Sequence, residues 1–143
     1  MQPVLLDTSV YVSAFRRGET AIISIRRYET DSLLWLSAVV LEELYAGVDN
    51  DDRRLIEQAE YNFDKIGRIL VPSLSDWTET GRTLERLGAK YGYEQIGRSR
   101  LTNDALIATS AGRKGITVVT ANERDFRRLA EFRPFQWQIA DVS

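Results

Sequence analysis

The sequence predicts an α/β protein, a three-layer α/β/α sandwich around a central parallel sheet. Three observations carry this. Short aliphatic and β-branched runs, such as PVLLD at 3–7 and ITVVTAN at 116–122, read as buried strands. Between them lie longer segments with apolar residues at helical spacing, and strands alternating with helices imply βαβ units. The 143 residues suit one domain with a sizeable core, and no repeat, low-complexity tract or linker divides 1–143.

The elements follow in chain order. PVLLD is the first strand, and Thr8 or Ser9 is placed to cap the next helix, as is Asp7. TAIISIRRY at 20–28 has helical spacing. Leu33–Leu36 is a second strand, followed by Ser37 as N-cap and a helix through Val39, Val40, Glu43 and Leu44 that Gly47 ends. The segment 51–67 is an amphipathic helix with Leu55, Ile56, Ala59 and Phe63 on or near one stripe. RILVPS at 68–73 is a short strand. The helix after it takes Ser75 as N-cap, with Thr78 and Glu79 in its first turn. LTNDALIATSAGRKG is a helix capped near Thr102 or Asn103 and closed by Gly112 or Gly115. ITVVTAN is a β-branched strand, ERDFRRLAEF a short helix and FQWQIAD a final strand.

Composition narrows the chemistry. Hydrophobic residues at 43% and charged residues at 28% are ordinary for a soluble globular protein. No apolar run reaches bilayer length and no leader pattern opens the chain, so the expected location is the cytoplasm. The chain has no cysteine, which excludes disulfides and thiolate metal sites. It has no histidine, which removes the usual neutral-pH general base and the usual zinc ligand. Catalysis must therefore use carboxylates, hydroxyls, Lys, Arg, Tyr or a bound metal. A net charge of -2 argues mildly against nucleic-acid binding. The charge is uneven, however: Glu42–Glu60 is mostly acidic, and Arg98–Arg133 carries eight bases against four acids.

The placement of acids is the informative feature. In open parallel sheets, ligands bind beyond the carboxyl ends of strands. Asp7 ends the first strand, and Asn122 and Asp125 follow ITVVT. Asp104 falls about where a helix begins. Glu43 lies inside an apolar run, where a buried carboxylate needs a partner. Each has a plain structural reading: Asp7 and Asp125 as helix caps, Asp104 as a first-turn acid favoured by the helix dipole. Together they form a set of hard oxygen ligands suited to Mg2+ or Mn2+, metals that activate water and clamp phosphoryl oxygens. Thr8, Ser9, Thr120 and Asn122 are placed to hydrogen-bond these acids or position water. Glu42 competes with Glu43 for assignment. Glu43 is favoured because it shares a helix face with Val39, Val40 and Gly47.

Four segments in this order, LLDTSVYVSAF, SAVVLEELYAG, LTNDALIATSA and VVTANERDF, resemble the PIN-domain family. They are most similar to the toxin ribonucleases of VapBC toxin–antitoxin modules, and the likeness spans essentially the whole chain. The resemblance implies a Mg2+- or Mn2+-dependent endoribonuclease that cleaves an RNA phosphodiester by metal-activated water. It implies Asp7, Glu43, Asp104 and Asp125 as metal ligands, with Thr120 and Asn122 supporting the last, the most variable position in the family. It also implies a homodimer and a VapB-type antitoxin partner.

The acids would repel RNA unless a positive rim accompanies them, so Arg16, Arg17, Arg98, Arg100 and Arg124 are candidate backbone contacts. Surface solubility explains each equally well. Trp35, Phe63, Trp77 and Phe126 read as core. Tyr11, Tyr45 and Tyr93 are placed to line a groove. KYGYEQIGRSR at 90–100 reads as a rim loop. A binding module without turnover remains a competing reading, although a full set of acids counts against it. Haloacid-dehalogenase-type phosphotransfer needs a second Asp where Ser9 stands, and receiver domains need an acid pair and a Lys that are missing.

Overall fold

The computed structural model describes residues 1–47, 49–94 and 101–140. Five strands form one sheet: β1 Pro3–Leu6, β2 Leu33–Ser37, β3 Ile69–Leu70, β4 Thr117–Thr120 and β5 Trp137–Ile139. Their order is β3-β2-β1-β4-β5 and every pairing is parallel. The registers Leu5↔Trp35 and Leu6↔Val119 align the carboxyl ends of the three central strands. Helices must join parallel neighbours, and the described residues supply seven: α1 Thr8–Arg17, α2 Glu19–Asp31, α3 Ala38–Gly47, α4 Asn50–Lys65, α5 Leu74–Tyr91, α6 Leu101–Lys114 and α7 Glu123–Ala130. The α/β class and parallel sheet expected from the sequence are observed.

The core follows from the strand runs. Val4, Leu5, Leu6, Val118 and Val119 are almost fully buried, as strands covered by helices on both faces require. α6 joins them through Leu101, Ala105, Leu106, Ile107 and Ala111, and α7 through Phe126 and Leu129.

Several expected boundaries shift. The cap of α1 is Asp7, whose carboxylate accepts from the Val10 N–H at 3.4 Å, so Thr8 and Ser9 are free to reach elsewhere. Helix α5 begins two residues before the expected point. Ser73 is its cap: its hydroxyl accepts from the Asp76 N–H and the Asp76 carboxylate accepts from the Ser73 N–H, a reciprocal capping box. Gly112 lies within α6, where Phe135 packs against it, and Gly115, with φ +68°, follows the helix. The expected strand at 68–73 is only two residues long, and Asp125 sits in the first turn of α7 and not at its cap. Trp77 is not core: it is 55% exposed on α5. Leu55 also departs from the expected buried stripe and stands exposed on α4, while Ile56 and Phe63 are buried. Ser37 caps α3 as expected, accepting from the Val39 and Val40 N–H groups.

Candidate active site

The sheet order changes direction between β1 and β4: β2 lies on one side of β1 and β4 on the other. A crevice forms outside strand ends at such a point. Asp7 follows β1, and Thr120 is the last residue of β4. The two meet across 113 positions of sequence, with the Thr120 hydroxyl donating to Asp7 Oδ2 at 2.6 Å. Ser9 donates to Asp7 Oδ1 at 2.5 Å and accepts from the Ala121 N–H at 3.0 Å. One hydroxyl thus ties the β1–α1 turn to the β4–α7 turn.

The connection continues through Asn122. Its N–H donates to the Thr120 hydroxyl oxygen at 2.9 Å. Its side-chain amide nitrogen donates to Asp125 Oδ2 at 2.9 Å and to Asp104 Oδ2 at 3.4 Å. Glu43 enters by a separate link, accepting from the Thr8 hydroxyl at 2.7 Å. Glu43 is half-buried on α3 whereas Glu42 is exposed, in agreement with the helix-face argument. Thr120 and Asn122 thus link Asp7 to Asp104 and Asp125 beyond the carboxyl ends of β1 and β4, and Thr8, next to Asp7 in the chain, links to Glu43.

Electrostatics explain how the acids tolerate one another. Asp7 is the N-cap of α1, Asp104 lies in the first turn of α6, and Asp125 in the first turn of α7. Helix N-termini carry partial positive charge, which offsets the repulsion among the carboxylates. Asp7 is only 2% exposed, and burial pushes its carboxyl above the usual carboxylate range, against the pull of the Ser9 and Thr120 hydroxyls.

The donors here are carboxylates, hydroxyls and a carboxamide, the hard oxygen chemistry that suits Mg2+ or Mn2+. Among the described residues, no three acidic side chains stand already spaced to hold an ion. Each of the four carboxylates instead faces a hydroxyl or amide donor of the chain. The donors match a divalent ion in their chemistry.

A groove of about 520 Å3 leads away from Thr8 and Glu43 between α1, α3 and the start of α4. Val12, Phe15 and Leu44 form its apolar side, and Asp49 and Asp52 its acidic lip. Arg16 borders this groove, and Arg124 is exposed on α7 beside Asp125. Arg17 is exposed at the end of α1. Arg98 and Arg100 lie outside the described residues. Asp49 and Asp52 escaped the sequence reading, which took the acidic run as undifferentiated charge. The visible signal was Asp49 as a cap: it accepts from the N–H groups of Asp51 and Asp52.

The PIN domain profile matches residues 4–132, about nine-tenths of the chain. The chain belongs to the PIN-domain family. It is 29% identical over 133 residues to Ribonuclease VapC1 of Rickettsia felis, covering 88% of this chain and 90% of that one. The DNA-bound VapBC structure from Salmonella typhimurium has a similar fold, with a TM-score of 0.70 and 24% identity over 99% of this chain and all of that one. VapBC2 from Rickettsia felis, bound to a DNA fragment from its promoter, gives a TM-score of 0.61 and 25% identity, covering 96% of this chain and 98% of that one. No helix among the described residues of this PIN domain is long and apolar enough to cross a membrane.

Proposed function

We propose that this PIN domain is a Mg2+- or Mn2+-dependent endoribonuclease, the toxin of a type II toxin–antitoxin module, in which Asp7, Glu43, Asp104 and Asp125 hold the ion. The observation that carries the reading is the unbroken hydrogen-bond path from Asp7 through Thr120 and Asn122 to Asp104 and Asp125. Three acids from three segments share this path although mutual repulsion opposes it, and Glu43 from a fourth segment accepts from Thr8 beside Asp7. The family match and a relative named as a ribonuclease support the same chemistry.

A divalent ion bound there supplies charge stabilisation for the phosphoryl oxygens and a lowered pKa for the attacking water. The chain's own residues do the positioning. Ser9 and Thr120 fix both oxygens of Asp7, Thr8 orients Glu43, and Asn122 holds Asp104 and Asp125 side by side. Such supporting groups typically change metal affinity by about 10–100-fold when removed. Asn122→Ala is expected to weaken Mn2+ binding by that amount in calorimetric titration; unchanged affinity would remove Asn122 from the site.

The partner side of the reading is a VapB-type antitoxin together with a homodimer of this chain. The antitoxin is supported by the VapBC complexes among the similar structures. A narrow apolar cleft of about 120 Å3 lined by Phe15, Leu44, Leu55 and Phe63 also supports it. Tyr11 lines this cleft, and its buried hydroxyl has no hydrogen-bond partner among the described residues.

The test is cleavage of labelled total RNA by purified protein with Mg2+ or Mn2+ and with EDTA. Cleavage that EDTA stops and added metal restores is expected. Equal cleavage in EDTA, or no cleavage by folded protein with either metal, would overturn the reading.

A further inference from the structure

We propose that α5 is the dimerisation helix of this chain: its outward stripe of Leu74, Trp77, Gly81 and Leu84 packs antiparallel against the same stripe of a second copy, each Trp77 seated over the partner's Gly81. The pairing rests on the homodimer in the reading above and is independent of the chemistry at the acids.

Helix α5 has two faces. Asp76, Thr80, Thr83 and Leu87 are buried against the rest of the fold. About a third of the way round the helix, Leu74, Trp77, Gly81 and Leu84 follow one another at spacings of three, four and three. That is the spacing of a helix–helix seam. Leu74 is 80% exposed and Trp77 55%, and Leu84 is half-buried. A lone exposed apolar side chain needs no explanation, but an aligned set marks an interaction surface.

Gly81 identifies the partner. It lies in the middle of an 18-residue helix, where glycine weakens the helix relative to alanine. Among the described residues nothing calls for it, since a Cβ there would meet no atom within 4 Å. Gly88 and Gly112, by contrast, have Tyr93 and Phe135 packed on them. An unfilled notch one turn from an indole left more than half exposed is one half of a self-complementary contact. A two-fold axis midway between the two sets each Trp77 in the partner's Gly81 notch, large against small. The same register brings Leu74 against the partner's Leu84.

Charge leaves this stripe open. Glu79, on the opposite flank of α5, pairs with Arg82 and Arg133. Glu85 and Glu94 border the stripe, and Glu94 is partnered within the chain. In the antiparallel register Glu85 comes opposite the partner's Ser73 and not opposite a like charge. Exposed Val71 before Leu74, and the exposed Tyr93 ring on Gly88, extend the apolar surface at its two ends. Together Val71, Leu74, Trp77 and Tyr93 leave roughly 400 Å2 in water, about half of the ~800 Å2 that a standard interface takes from each partner. The polar residues flanking the stripe supply the rim.

The experiment is sedimentation velocity of the purified chain over a concentration series, which gives the dissociation constant of the dimer. Trp77→Ser and Gly81→Leu are each expected to weaken self-association at least about ten-fold, one by removing the knob and the other by filling the notch. Gly81→Leu also separates interface from fold. Leucine is the better helix former, so below the parental dissociation constant this variant should melt no lower than the parent. A Gly81→Leu variant that melts well below the parent would show that the notch serves the fold and would overturn the pairing. Parental dissociation constants in both folded variants would overturn this face and leave the homodimer standing. A parent that stays monomeric at roughly 100 μM, above the micromolar-to-picomolar range of interfaces this size, would overturn the homodimer and the face together. RNA cleavage by such a monomer would leave the ribonuclease reading intact.

Discussion

Asp7→Asn is expected to reduce RNA cleavage by at least about a hundred- to a thousand-fold while leaving the protein as stable as the parent or more so. The two effects share one cause. Asp7 is buried, and burial raises its carboxyl above the ordinary carboxylate range despite the Ser9 and Thr120 hydroxyls. A raised pKa means that the folded state favours the protonated form. Ionisation then costs folding free energy, increasingly as pH rises from the unfolded value through the folded one. Asparagine carries no charge, and it can accept from one hydroxyl and donate to the other. Melting temperatures of the two proteins in EDTA should therefore diverge in favour of the variant as pH rises from acid to neutral. A variant clearly less stable than the parent at neutral pH would show that the ionised carboxylate supports the fold, contrary to this account.

The largest stability loss is expected far from the four acids, at Asp76→Asn. Asp76 is 2% exposed and accepts from Arg113 Nε on α6 at 2.9 and 3.0 Å, with Nη2 of the same ion pair 2.9 Å away. It also closes the capping box at the start of α5. One carboxylate thus pins two packed helices and a helix start. Burial raises its carboxyl, but the Arg113 and Ser73 hydrogen bonds outweigh burial and hold it below the ordinary range. Breaking a buried pair costs about 3–5 kcal/mol, and partial exposure of Arg113 lowers the expectation here to about 2–3 kcal/mol. A depressed folded pKa contributes stability above the unfolded value that is lost as pH falls through the folded one. The gap between parent and variant in denaturant titrations should be full at neutral pH and close in strong acid. A gap that persists there would mean that packing, not the ion pair, is responsible. RNA cleavage below the melting transition should be retained.

The strands were legible because apolar β-branched runs have few other uses in a chain of this composition. Val118 and Val119 are fully buried. The acids were legible because polar groups at strand ends and one carboxylate inside an apolar helix face break the pattern. Helix starts were less legible. Asp7, Thr8 and Ser9 can all cap, as can Ser73 and Ser75, and distant groups decide between them. Ser9 is drawn to the Ala121 N–H, and Asp76 to Arg113. The bond from Thr120 to Asp7 spans 113 positions, so only the β1–β4 pairing reveals it. Trp77 looked like core because large aromatics usually are. Its position on α5 turns it outward while Thr80 and Thr83 face in.

The central claim is that acids from four separate segments form one divalent-ion site. The most direct measurement is calorimetric titration of Mn2+ into the purified parent and into Asp7→Asn, Glu43→Gln and Asp104→Asn. The account predicts that the parent binds Mn2+ and that each substitution weakens or abolishes binding in a protein that remains folded. Parental affinity in all three folded variants would contradict it.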